Sequence, residues 1–466
     1  MTQRRKHHVA FMILKGLGFT CAALASGCVN AGPNDAERGP SVITNVTIVA
    51  MDGSAPLEGK AVVIESGRIR KLIDARDVDE ALGATVIDGR GGYLTPGLID
   101  VHVHHRENID YLNYVANGVT TVVGLGQGRS AEEFRQLRDK IAAGRFIGPR
   151  VYTTAQAIAN QIEIDDPDVA REYVHRLNGE GYDLIKIYNN IPKDVFDAVV
   201  DESAKVGLCV FGHLPRNFPV EYSLSHGLDV VAHAEEFYFA YFGGPRDQEL
   251  DAFDGSALPD ISKAQAVIDL MAQNEVALIP NLIFSFTIMK FWEDEDATLA
   301  DPELGYWHPS LRDDWRQANG ARRTRIDKRM LRERIKYGFV HEFTRRAHEA
   351  GVLIATGTDA PVQGVIPGSS LHGEMRELIK TGFSFEEALA AATRSGGLLI
   401  AKYVDAQSRI GVIAPGYEAD LVLVAENPLD DIRNMSRIEG VMVDGAWLER
   451  ASLDRLRSEL VGRYAK

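Results

Sequence analysis

The stretch GLIDVHVHH, Gly97 to His105, sets three histidines in a run of Leu, Ile and Val. Read with a period of two, Asp100, His102 and His104 share one face of a strand, and Ile99, Val101 and Val103 the other. Two imidazoles buried that close together cost free energy unless each nitrogen finds a partner, and a shared metal ion is a partner for both. A hydrogen-bonded core pair or a surface pair is the competing reading. The remainder of the chain decides between them.

Working outward, seven further segments read as strands: TTVVGLG (Thr120 to Gly126), RVYTTA (Arg150 to Ala155), DLIKIYN (Asp183 to Asn189), LCVFGHL (Leu208 to Leu214), DVVAHAEE (Asp229 to Glu236), VALIPNLIF (Val276 to Phe284) and VLIATGTD (Val352 to Asp359). Amphipathic helical stretches such as DVFDAVVDESAKVG separate most of them. Eight strands alternating with helices predict an α/β chain with a (β/α)8 TIM barrel over residues 94–404. The long gap at 285–350 reads as an insertion near the barrel mouth. Its Trp292, Trp307 and Trp315 form either a substrate wall or the insertion's own core.

On both sides of the barrel the pattern changes to alternating, β-branched segments broken by Gly and Asp. ITNVTIVAMDG, GKAVVIESGRIRKLI and ATVIDGRGGYLTPG lie before it, with RIGVIAPGYEADLVLVAENP and RIEGVMVDGAWLER after it. These predict a small composite β-sandwich domain drawn from residues 41–93 and 405–450.

The first residues differ in kind. Arg4, Arg5 and Lys6 precede a mostly apolar run from Val9 to Ala25, and LASGC then ends at Cys28. Residues 1–28 therefore read as an export signal of the lipoprotein type, with Cys28 as the lipidation site, and 29–40 as a linker. Ordinary cleavage after a small residue is the alternative. The expected location is a bacterial envelope or periplasm, with membrane contact only through the lipid anchor. Cleavage there leaves Cys209 as the single thiol, which excludes a disulfide framework.

The formal net charge of -15 argues against nucleic acid as a partner, since phosphate binding wants a basic stripe. The one dense basic run beyond the N-terminus, Ala321 to Lys336, carries interspersed acids and reads as a solvated helix face.

Polar groups recur where a barrel places its chemistry, at the C-terminal ends of strands: His102, His104, Lys186, His213, His233 and Asp359. Each alone has a bland reading, as a core histidine, a barrel ion pair or a turn residue. Six together on five strands resist explanation as packing, because uncompensated polar burial on that scale is destabilising.

The motifs DVHVH, IKIYN, FGHLP, VVAHAEE and ATGTDAP, in this order, resemble the amidohydrolase superfamily, and within it the imidazolonepropionase and prolidase-like branch. The tail LHGEMRELIKTGFSFEEALAAATRSGG followed by IGVIAPGYEADLVLV is similar to the closing part of that branch. The resemblance implies a centre of two divalent ions, zinc being the expected metal. Its ligands would be His102, His104, Lys186, His213, His233 and Asp359, with Lys186 carboxylated on its amine. It further implies hydrolysis of an amide or peptide C–N bond by metal-activated hydroxide, with Asp359 as proton shuttle. FGHLP and the Trp-bearing insertion depart from the dipeptidase pattern.

Tyr188, two residues past Lys186, shares its face and is either an oxyanion donor or a packed tyrosine. His105 and Arg106 read as a substrate-carboxylate contact or as a solvated loop. His372 and Glu374 cap or orient the LHGEMREL helix. The expected substrates are small molecules, dipeptides or N-acyl amino acids. Two other classes stay open: a mononuclear deaminase, cyclohydrolase or lactonase of the same superfamily, and a non-catalytic binding lipoprotein. A homo-oligomer is compatible with every one of these readings.

Overall fold

The computed structural model describes residues 40–78, 83–104, 111–126, 130–242, 254–256 and 258–464. Cys28, the export signal, His105 and Arg106 lie outside the described residues.

Fourteen strands are described, in three sheets. The first four are β1 (Ser41–Ile48), β2 (Leu57–Glu65), β3 (Arg68–Asp74) and β4 (Thr85–Pro96). Seven follow in the central part: β5 (Leu98–Val103), β6 (Val119–Gly124), β7 (Arg150–Thr153), β8 (Leu184–Ile187), β9 (Cys209–Gly212), β10 (Val230–Ala232) and β11 (Ala277–Ile279). The last three are β12 (Leu421–Val424), β13 (Ile438–Val443) and β14 (Ala446–Glu449).

The terminal strands form one seven-stranded sheet in the order β14-β13-β12-β4-β1-β2-β3. Sequence patterning predicts a two-sheet sandwich; hydrogen bonding joins all seven into one sheet, because β12 pairs antiparallel with β4 and carries the C-terminal hairpin onto the N-terminal strands. Alternation explains where that sheet sits. Leu421 and Leu423 enter its own apolar cluster with Ile43, Ile48 and Leu94, whereas Val422 and Val424 turn to the main core.

The central strands form two all-parallel sheets, β5-β6-β7 and β11-β10-β9-β8. Helices separate most consecutive strands, and a helix such as Pro167–Glu180 has local causes for both ends. Asp166 caps its first turn, Pro167 opens it, and Gly181 closes it in the left-handed region at φ 83. The ladders do not close into a ring. Between β7 and β8 the link runs through Ile158, whose N–H donates to Lys186 O at 3.0 Å and whose carbonyl accepts from Tyr188 N at 3.0 Å.

At the eighth position VLIATGTD is not a ladder strand. Its backbone divides its bonds among β11 (Ala355 N to Leu278 O, 3.2 Å), the helix Phe385–Ala391 (Thr356 N to Ala391 O, 3.1 Å) and β5 (Asp359 N to His102 O, 2.8 Å). Expectation and structure differ again at VALIPNLIF, where the strand stops at Ile279 and a helix begins at Leu282. Pro280 offers no N–H and Asn281 takes a left-handed φ of 52, so the ladder cannot continue.

The 285–350 segment is mostly helical, and it docks beside the site. Trp315 Nε1 donates to Pro361 O at 2.9 Å, and Gln363 Nε2 returns a bond to Trp315 O at 3.1 Å. Trp307 and Trp315 are buried, and both belong to the core. The basic run is largely solvated, with Glu333 and Lys336 as buried exceptions: Lys336 pairs with Glu235 and, at 2.7 Å, with Glu333.

Candidate metal centre

Strict alternation does not hold along β5. Its pairing with β6 slips between Asp100 and Val103, and Val103 joins the main core with Leu98 while Ile99 and Val101 enter a separate cluster. The buried carboxylate of Asp100 anchors this region. Its Oδ2 accepts from Thr358 Oγ1 at 2.7 Å, and its Oδ1 accepts from Thr358 N at 3.0 Å and from His102 N at 3.3 Å. Burial pushes the Asp100 carboxyl up to about 7 despite these bonds.

Asp359 therefore reaches the strand that bears the histidines. Its Oδ1 lies 2.9 Å from His104 Nε2 and 3.1 Å from His102 Nε2, and ligand atoms of all three residues fall within 4.8 Å of one another. Only glycine fits two places before it. A Cβ on Gly357 would come within 2.5 Å of Ile279 Cγ2 and 2.8 Å of His102 Cβ. Gly212, just ahead of His213, is equally confined, with Ile187 O 2.2 Å from where its Cβ would be.

The other imidazoles adjoin this trio. The rings of His102 and His233 stand 4.7 Å apart, as do those of His233 and His213, and Tyr188 packs against His213 at 3.9 Å with the two rings tilted. Lys186 Nζ is buried in the same region, 5.6 Å from the Phe211 ring, itself near His102. His233 and Asp359 hold left-handed φ values of 72 and 62, uncommon for residues other than glycine and a sign that surrounding structure enforces their placement.

Charge states follow from burial. His102 and His213 are held well below the usual imidazole range by desolvation and then by Lys186. Desolvation does the same for His233. Neutral imidazole is the ligating form. Burial brings the Lys186 ammonium down to about 8. For Asp359 burial opposes ionisation, but the facing imidazoles of His102 and His233 outweigh it and hold the carboxyl well below its ordinary range. Burial pushes the Tyr188 phenol up, so it keeps its proton at neutral pH.

The donor set fits a metal. His102 Nδ1, His233 Nδ1 and Lys186 Nζ are buried without a hydrogen-bond partner among the described residues, and His102 Nε2 faces the Asp359 carboxylate at 3.1 Å. Each such group costs about 1–3 kcal/mol when unpaired, and a cation facing neutral imidazoles and a carboxylate would satisfy several at once.

Two neighbours were not singled out by sequence patterning. Glu236 faces His213, and its only signal was a place three residues past His233 in an apolar run. Asn281, at the end of β11, buries both amide atoms without a hydrogen-bond partner among the described residues. His372 and Glu374 have other partners. His372 Nε2 contacts Asn117 O at 2.9 Å, and Glu374 accepts from Leu282 N and Ile283 N, capping the helix Leu282–Glu293.

Residues 342–448 match the family model described as Amidohydrolase family. An imidazolonepropionase from Anaeromyxobacter sp. (strain K) is 30% identical over 166 residues, which are 32% of this chain and 37% of that protein. The match thus spans little more than a third of that relative's length. Among solved structures, bottromycin amidohydrolase aligns with a TM-score of 0.68 at 23% identity, over 92% of each chain. A Xaa-Pro dipeptidase crystallised with methionine in its active site aligns at a TM-score of 0.63 and 20% identity, covering 88% of this chain and 100% of that one. The likeness to the solved structures is of fold, and the match to the amidohydrolase family model is confined to residues 342–448.

Proposed function

We propose that the protein is a metal-dependent hydrolase that cleaves an amide or peptide C–N bond in a small-molecule substrate, of the dipeptide or N-acyl amino acid class. The observation that carries this reading is the convergence of His102, His104 and Asp359 within 4.8 Å, beside two further buried imidazoles and a buried lysine. In this reading the parallel strands, with VLIATGTD (Val352 to Asp359) in the eighth position, correspond to a (β/α)8 barrel, and the ligands are His102, His104, Lys186, His213, His233 and Asp359.

Bound divalent ions, zinc first among them, would polarise the scissile carbonyl and acidify a water. The chain's own groups supply the rest. Asp359 is ionised, and its side chain is 14% exposed, so its carboxylate can take a proton from water and return it to the leaving nitrogen. The neutral Tyr188 hydroxyl is a donor for the carbonyl oxygen as it gains charge. Burial lowers the Lys186 ammonium to about 8, which favours the neutral amine; that form would add carbon dioxide and lose a proton to give a carbamate able to serve as a metal ligand. Residues 1–28 would export the chain and Cys28 would anchor it by lipid, which palmitate labelling of the Cys28→Ala variant checks.

A single-ion centre is the second reading, favoured by the fact that His102, His104 and Asp359 are the one close ligand group among the described residues. Elemental analysis of the protein lacking its first 28 residues separates the two. It is paired with a screen of dipeptides, N-acyl amino acids and lactones, with and without chelator. Two ions per chain and chelator-sensitive amide cleavage are expected. Absence of bound metal after reconstitution would remove the reading altogether.

A further inference from the structure

Glu236 is buried at the start of the helix Glu235–Phe242 and divides its carboxylate between two partners. Oε1 lies 2.7 Å from His213 Nδ1. Oε2 accepts from both Nε (3.1 Å) and Nη2 (2.8 Å) of Arg216, three residues beyond His213. Phe239, one turn along the same helix, faces the Arg216 guanidinium at 5.0 Å. Carboxylate and guanidinium are thus each held in place by more than one contact.

The consequence falls on the His213 ring. Tyr188 and His233 pack against it at 3.9 and 4.7 Å, which restricts its rotation. A carboxylate offers only acceptors, so Nδ1 carries the hydrogen and Nε2 is left with its lone pair. Metal-bound histidines commonly depend on such a partner on the far nitrogen.

We propose that Glu236 is a positioning residue that fixes the tautomer and ring orientation of His213 for metal ligation, with Arg216 holding the other carboxylate oxygen. The proposal rests on His213 being a ligand. In this arrangement the histidine that follows β9 is steered by an acid that follows the histidine after β10. A plain structural ion pair would stabilise the fold and leave metal affinity unchanged.

The test uses the full chain without its first 28 residues, metal-free and then titrated with Zn2+ against a chromophoric chelator. Co2+ absorption spectra and metal-free thermal melts accompany the titration. Glu236→Ala should bind Zn2+ about 10–100-fold more weakly and alter the Co2+ spectrum. Glu236→Gln, which keeps an acceptor oxygen for Nδ1, should recover most of the affinity. Wild-type affinity and spectrum in Glu236→Ala, with only a lower melting temperature, would overturn the proposal and leave the metal centre standing. If the parent protein itself holds no ion, the site reading fails and this proposal with it. Should Glu236→Ala not fold, Glu236→Asp, whose carboxylate is withdrawn by one methylene, carries the test, and unchanged affinity there overturns the proposal.

Discussion

The Thr358 hydroxyl donates to Asp100 Oδ2 at 2.7 Å, across 258 residues of sequence, and so ties the segment bearing Asp359 to the strand bearing His102 and His104. Thr358→Val keeps the side-chain shape and removes the bond to a buried carboxylate. Loss of about 1–3 kcal/mol in urea unfolding is expected, together with weaker metal retention, since Asp359 loses its fixed neighbour. Unchanged stability and unchanged metal content would show that the backbone bonds alone set the register.

Lys186 is the one ligand in the proposed set that requires covalent change before it can bridge two ions. Lys186→Ala should lower the metal count from two to one or fewer per chain and reduce amide hydrolysis by at least about 100-fold. Full turnover with two ions retained would eliminate the carbamate, and full turnover with one ion would favour the mononuclear reading.

Glu374 offers a pH signature in a residue outside the proposed ligand set. Burial pushes its carboxyl up to about 8 from an ordinary 4.5, even though two backbone N–H groups bond to it. A raised folded-state value means that the native protein keeps a proton that the unfolded chain has released. This stabilising contribution is full below about pH 4.5 and is lost as pH rises toward about 8. Stability curves for the parent and for Glu374→Gln should therefore diverge in slope across that window, the variant falling less steeply. Parallel curves would contradict the assignment.

Arg457 joins the C-terminal helix Arg450–Tyr464 to the insertion. Buried among other side chains, it donates to Glu303 Oε2 at 2.6 Å and to Asn113 Oδ1 at 3.2 Å, and lies over the Tyr306 ring at 3.6 Å. Arg457→Met leaves Glu303 and Asn113 without this partner and should cost about 2–4 kcal/mol. Equal stability of the variant in urea would reduce the contact to a surface-like pair.

Much of the central region was legible in the sequence, because each strand's apolar run and terminal polar residue are local features. His102, His104, Lys186, His213, His233 and Asp359 could be picked out because charged or imidazole groups at the ends of apolar strands are costly to bury without purpose. Tertiary structure alone decided how these groups meet: the slip in β5, the left-handed turns at His233 and Asp359, and the exclusion of a side chain at Gly357. Those depend on contacts between separate segments of the chain, which local periodicity cannot encode. Pairing between β4 and β12 likewise turned an expected sandwich into one sheet, since which strand edge meets which is set by chain closure and not by alternation. Glu236 shows the same limit most plainly. Its residue type was visible in VVAHAEE, but its role required knowing that the next helix swings it back to the preceding strand's histidine, 2.7 Å away.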